Sequence, residues 1–208
     1  MGTSVAGVLL AAGEGSRLGR PKALIELNGR TLVRRGIDLL RAGGAGPVLV
    51  VTGAVALTLD DVQIVANPLW RTGMGSSLCA ALDALAATGA DAAVVALADQ
   101  PLVGPAAVAR LIAAYRAGAS VAVAAYQGRP RNPVLLAREH WSDAAALATG
   151  DQGARAFLKA RGDLVTLVEC GDTGRPDDID TPADLERIAA ELATGAPGVS
   201  RPPDPSCG

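Results

Sequence analysis

Gly13, Gly15, Arg17, Gly19 and Lys22 crowd together directly after an apolar run, a combination of types that points to anion binding. Glycines leave backbone N–H groups free to face a phosphate, a guanidinium grips two of its oxygens, and an ammonium adds a point charge. Carboxylates that could complete a phosphoryl-transfer site lie far away in the chain. Asp99 follows the apolar run Ala92 to Ala98 and precedes Pro101, while Asp177-Asp178-Ile179-Asp180-Thr181-Pro182 offers three more. In extended chain Asp178 and Asp180 share one side. Such carboxylates suit Mg2+, which takes one or two of them and fills its shell with water and substrate phosphate. Thr72-Gly-Met-Gly-Ser-Ser77 adds short residues and exposed amides, and Gly150-Asp151-Gln-Gly-Ala-Arg155 reads by itself as an Asp-capped helix with an outward Arg.

Plainer roles compete at each position. Arg17 and Lys22 solvate many surface turns, Asp99 could cap the next helix, and Thr181-Pro182 is a common helix start. The phosphate loop of the P-loop type fails, because Lys22 follows Pro21 and no hydroxyl residue follows it. The dinucleotide fingerprint fails too: Gly13-Glu-Gly15-Ser-Arg-Leu-Gly19 is one residue too long, and no acidic residue ends the strand near Thr52. His140 is the only histidine, which removes histidine metal clusters and Ser-His-Asp triads. Beside Trp141 it is expected at the surface with no role.

Charge and composition exclude whole classes. Lys and Arg total 19 against 21 Asp and Glu, and aromatic residues are 2%, so neither a basic field nor a stacking surface for nucleic acid is expected. Cys79, Cys170 and Cys207 fit no disulfide framework or zinc site, and no apolar segment is long enough for a membrane span. The expected location is the cytoplasm.

The elements that must position these residues follow from periodicity. Val5 to Leu10, Pro47 to Thr52, Val62 to Ala66, Ala92 to Ala98, Ser120 to Ala125 and Leu164 to Glu169 read as strands. Thr31 to Ala42, Leu78 to Ala87, Pro105 to Ala117, Asp151 to Ala160 and Pro182 to Leu192 read as helices, and Tyr126 to Leu136 breaks the pattern with Gly128, Pro130 and Pro133. This alternation predicts a single Rossmann-like, three-layer α/β domain over 1–193, with a mostly parallel central sheet and a disordered Pro/Gly-rich tail over 194–208. In such sheets ligands bind beyond the carboxyl ends of the strands, where every candidate segment falls.

The opening stretch resembles the nucleotidyltransferase signature, matched at Leu10, Ala11, Ala12, Gly13, Gly15, Arg17, Leu18, Gly19, Pro21 and Lys22. Within that superfamily, whose domains are nucleotide-diphospho-sugar transferase-like, the chain is similar to the molybdenum-cofactor branch, and most to the molybdopterin cytidylyltransferases. Asp99-Gln-Pro, Asp178-Ile-Asp-Thr-Pro182 and the Thr72–Ser77 segment also match. The resemblance implies a nucleotide site of Leu10, Ala11, Ala12, Gly13, Gly15, Lys22, Gly75, Ser76, Ser77 and Asp99, with Arg17, Lys22 and Asp99 catalytic. It implies Mg2+ on Asp99 and Asp180, and an acceptor side of Gln100, Asn132, Asp151 and Arg155. The substrates implied are CTP and a phosphate-bearing acceptor such as molybdopterin with its molybdenum, and the partner is a molybdoenzyme or its chaperone. Ala12, where guanylyltransferase relatives usually have Gly, favours a pyrimidine base. One departure leaves the acceptor open: Arg131-Asn132-Pro133-Val134 stands where the cytidylyltransferases usually carry Gly-His-Pro-Val, and Asn lacks the cationic form of His. Two rivals remain, an oxidoreductase that reduces pigment-like heterocycles with a nicotinamide cofactor on this fold, and a transferase with another base or acceptor.

Overall fold

A computed structural model describes residues 3–194. The first apolar run forms β1 (Val5–Leu10), buried along its whole length, and the glycine-rich loop leaves its carboxyl end. The short antiparallel pair β2 (Glu26–Leu27) and β3 (Arg30–Thr31) leads into α1 (Leu32–Ala42). Then come β4 (Val48–Thr52), β5 (Gln63–Ala66), α2 (Met74–Ala86), β6 (Ala92–Leu97) and α3 (Pro105–Arg116). The remainder comprises β7 (Val121–Tyr126), β8 (Arg129–Ala137), α4 (Trp141–Leu147), α5 (Arg155–Ala160), β9 (Val165–Glu169) and α6 (Pro182–Ala193).

Seven strands make one sheet in the order β5-β4-β1-β6-β8-β7-β9, in which only β8 runs antiparallel to its neighbours. Alternate residues feed opposite faces. Leu9, Val50 and Val94 meet Ile37 of α1 and Leu111 of α3, whereas Val8, Leu49 and Val95 meet Leu78 of α2 and Phe157 of α5. A third, smaller cluster, Ile25, Leu27, Leu32, Leu102, Ile179 and Ile188, fastens α6 and the segment before it to the loop side of the sheet.

Several expectations are corrected. The break over Tyr126 to Leu136 is a hairpin: Gln127 and Gly128, both at positive φ (55° and 74°), make its two-residue turn. Its prolines survive because β8 is bulged where Ala124 pairs with Arg131 immediately after Val123 pairs with Val134. Helix α2 starts a turn earlier than its apolar pattern, and α4 was not foreseen. The stretch 151–160 is a 3-10 turn (Gly150–Gln152) followed by the short α5. Thr31 precedes α1 but its side chain makes no cap. His140 is buried: Nε2 hydrogen-bonds with Ser120 Oγ at 2.9 Å, and the ring packs 5.9 Å from that of Phe157. The expected tail lies outside the described residues apart from Thr194.

Candidate nucleotide-binding site

The loop after β1 folds back so that Lys22 N donates to Gly13 O at 3.2 Å. Gly15 makes the turn possible, with φ of +65° and no room for a side chain: a Cβ there would lie 2.2 Å from Arg20 O. The reversal carries Lys22 inward. Its Nζ lies 2.7 Å from Asp99 Oδ2 and 2.6 Å from Asp180 Oδ1, joining residues far apart in sequence. Burial alone would lower the ammonium's pKa, but the carboxylates outweigh it and hold the group above the ordinary lysine value.

Two elements bring those carboxylates together. Asp99 emerges just past β6, and its carbonyl accepts from Ile179 N at 2.9 Å, while Ile179 itself is buried in the third cluster. The extended segment before α6 is thereby tied to the end of β6. Asp180 pairs with Lys22, while Asp178 accepts from Gln100 Nε2 at 2.9 Å, and burial pushes its carboxyl up. Among the described residues no three metal-ligating side chains gather. Asp99 and Asp180, converging on one positive charge, form a two-carboxylate set, which suits Mg2+ with water and phosphate oxygens completing the shell.

In front of this cluster lies a cavity of about 560 Å³. Leu10, Ala11, Ala12, Gly13 and Gly15 form its loop wall, Lys22 and Asp99 its floor, and Ser77 and Asp151 stand opposite. The other candidates fall outside its lining. Arg17 is exposed and makes no ion pair among the described residues, Arg155 likewise, and Asn132 is half-buried in the β8 bulge. Gln100 is buried and taken up by Asp178. Gly75 serves close packing, since a Cβ on it would meet Ala148 C at 2.7 Å, and Ser76 Oγ donates back to Leu69 O and Gly73 O.

Sequence reasoning missed Asn67, Trp70 and Arg71, and singled out Gly73 only as part of the Thr72–Ser77 segment. Asn67 is buried past the carboxyl end of β5 and donates to Ser76 Oγ and Ser77 Oγ at 2.9 and 3.0 Å, organising the start of α2. A polar residue directly after an apolar strand was the available signal. Trp70 and Arg71 line the cavity and a neighbouring one of about 370 Å³, with the guanidinium 4.3 Å above the indole. Gly73 lets the 3-10 turn at 150–152 approach: a Cβ would lie 2.3 Å from Gly150 C. Nothing in its spacing signalled that contact.

Comparison with known proteins agrees with this geometry. The family described as MobA-like NTP transferase domain matches residues 7–165. Nicotine blue oxidoreductase of Paenarthrobacter nicotinovorans is 39% identical over 198 residues, covering 88% of this chain and 96% of its own. A probable molybdenum cofactor guanylyltransferase of Opitutus terrae is 37% identical over 102 residues, 49% of this chain and 50% of its own. A Methanothermobacter nucleotidyl transferase of known structure superposes with a TM-score of 0.74 at 25% identity, covering 93% of this chain and 99% of its own. The family profile runs from within β1 through the glycine-rich loop and past the end of β6, so the elements that carry Lys22 and Asp99 are among the matched ones, and the chain belongs to the MobA-like NTP transferase domain family.

Proposed function

We propose that this nucleotidyltransferase moves CMP from CTP to a phosphate-bearing acceptor, molybdopterin with its molybdenum being the leading candidate, and releases pyrophosphate. The observation that carries the reading is the pairing of Lys22 with Asp99 at the floor of a cavity walled by the glycine-rich loop, with Asp180 on the same ammonium. Loop amides and Lys22 hold the triphosphate and neutralise the departing pyrophosphate. Asp99 and Asp180 would hold Mg2+, which supplies charge neutralisation at the α-phosphate when bound. An acceptor phosphate oxygen forms the new bond to the α-phosphorus as the bond to pyrophosphate breaks. No side chain need take a proton, since a phosphate acceptor attacks as an anion, so positioning and charge do the catalysis.

CTP is preferred to GTP in this reading because Ala12 cannot retreat. The wall behind it is filled: a Cβ built on Gly53 would lie 2.8 Å from Ala12 Cβ and 2.5 Å from Trp70 Cβ. Overfilling a packed site costs roughly 1 to 3 kcal/mol. Specificity constants for CTP and GTP, measured in the wild type and in Ala12→Gly by pyrophosphate release, test this directly. We expect CTP to be favoured and the preference to weaken less than about a hundredfold in the variant; a wild type that prefers GTP, as the name of the Opitutus relative would suggest, removes the cytidylyl assignment.

A second reading rests on the relative named nicotine blue oxidoreductase, which aligns over 88% of this chain. Under it the cavity would take a nicotinamide cofactor, and the chain would reduce a pigment-like heterocycle. The paired carboxylates under Lys22 favour transfer, because hydride movement has no use for them. Loss of NADPH absorbance with a quinonoid dye, without pyrophosphate from any nucleoside triphosphate, would reverse the order of the two readings.

A further inference from the structure

Both tryptophans carry an arginine over the ring, and the two arginines are used differently. Arg138 lies 5.3 Å from the Trp141 ring centre, and its guanidinium donates to the carbonyls of Ala86, Thr88 and Ala90 at 2.7, 2.8 and 3.0 Å. Its donors are taken up in fastening the end of α2. Arg71 lies closer, 4.3 Å from the Trp70 ring centre, yet it makes no hydrogen bond or ion pair among the described residues. A guanidinium held over an aromatic face is oriented by the ring without using any of its N–H donors. Other exposed arginines also lack a carboxylate, but Arg17, Arg116 and Arg155 line neither cavity, whereas Arg71 lines both.

The support beneath Arg71 is firm. Trp70–Thr72 is a 3-10 turn, closed by Gly73 N donating to Trp70 O at 3.2 Å and by Thr72 Oγ1 donating to Leu69 O at 2.8 Å. The indole is backed by Gly53, on which a Cβ would lie 2.5 Å from Trp70 Cβ. The two cavities adjoin, since Glu14, Ser16, Trp70 and Arg71 belong to both walls. Their charges differ. In the first, Glu14, Asp99 and Asp151 outnumber Lys22 and Arg71, which suits a cation shared between carboxylates and phosphate; in the second, Arg20 and Arg71 outnumber Glu14, which suits an anion alone. The glycine-rich loop runs along both, with Gly13 and Gly15 in the first wall and Gly19 and Pro21 in the second. A ligand laid along that loop from the Lys22 and Asp99 floor passes from the first cavity into the second.

We propose that the second cavity receives the β- and γ-phosphates of the nucleoside triphosphate, and that Arg71, held on Trp70, is their contact from outside the glycine-rich loop, with Arg20 beside it. A guanidinium offers paired N–H donors to phosphate oxygens, and here the fork is already oriented. As an acceptor phosphate oxygen bonds to the α-phosphorus, the bond from that phosphorus to the bridging oxygen breaks and its electron pair leaves on pyrophosphate, where the two guanidinium groups meet the added charge. CMP ends at the α-phosphate and reaches neither arginine. The identity of the ligand rests on the transfer reading; the binding of a diphosphate anion does not.

The test is calorimetric titration of CTP, CMP and inorganic pyrophosphate, each with Mg2+, into wild type, Arg71→Ala, Lys22→Ala and, as a control on an exposed arginine at the end of α3, Arg116→Ala. Arg71→Ala should lose at least about tenfold in affinity for CTP and for pyrophosphate while keeping its CMP affinity and melting temperature, and Arg116→Ala should match wild type throughout. An Arg71→Ala protein that binds CTP and pyrophosphate as wild type does overturns the assignment. Equal losses for CTP and CMP place Arg71 at the base or ribose and overturn it too, and pyrophosphate binding lost in Lys22→Ala but kept in Arg71→Ala confines the diphosphate to the first cavity with the same result. Arg71-dependent pyrophosphate binding by a wild type that binds no nucleoside triphosphate keeps the anion subsite and removes the transfer reading.

Discussion

Lys22 between Asp99 and Asp180 is a charge arrangement in which each member needs the others. Asp99→Asn should therefore cut nucleotidyl transfer at least about a hundredfold, several kcal/mol of charge stabilisation being at stake, while the melting temperature changes little. Near wild-type turnover would take Asp99 out of the chemistry. Lys22→Ala should weaken CTP binding by roughly ten- to a hundredfold in calorimetry, as loss of a charge-assisted contact does. Tyr126 gives the opposite kind of prediction. Among the described residues its hydroxyl is buried without a hydrogen-bond partner, so Tyr126→Phe should leave stability unchanged or raise it by up to about 1 to 3 kcal/mol in urea unfolding, and a clear loss would reveal a partner. Lys22, Asp99 and Ala12 were legible because their spacing is specific to one loop and one strand end. Asn67 and Trp70 were not, because a lone amide or indole in a polar segment has many uses and only the packing of α2 selects one.

At the scale of elements, the parallel strands were legible as all-apolar runs, since both faces are covered. β8 was hidden by its prolines, and the first turn of α2 by Gly75, which costs a helix about 1 kcal/mol, with Gly73 just before it; contact with the turn at 148–150 offsets that cost. The start of α6 is the clearest local device: Thr181 Oγ1 accepts from Asp184 N at 3.2 Å, and the Asp184 carboxylate accepts in return from Thr181 N at 2.9 Å. Thr181→Ala should cost about 1 kcal/mol of unfolding free energy at neutral pH. The Thr181 hydroxyl and amide hold the Asp184 carboxyl below its ordinary range. A depressed acid contributes stability above its unfolded pKa and loses it as pH falls through the folded one. The melting temperature should accordingly fall below about pH 4 in the wild type and less steeply in Asp184→Asn, and identical acid profiles would show that the box is idle.

For the whole molecule, the decisive fit is that of helices onto the sheet through small residues. A Cβ on Gly36 of α1 would lie 2.4 Å from Leu9 Cδ1, in the middle of β1. Gly36→Ala gains up to about 1 kcal/mol of helix propensity but overpacks a fully buried leucine, which costs roughly 1 to 3 kcal/mol, so net destabilisation is expected in chemical unfolding. The layered architecture follows from apolar patterning, yet this closeness does not, because a glycine inside a helix reads locally as a defect. The contact between Lys22 and Asp180 spans 158 residues and depends on Ile179 and Ile188 having docked α6. A chain whose segment before α6 has not docked has the glycine loop and the end of β6 in place but lacks Asp180 beside Lys22. The two-carboxylate set is therefore a product of the docked whole and of no single element.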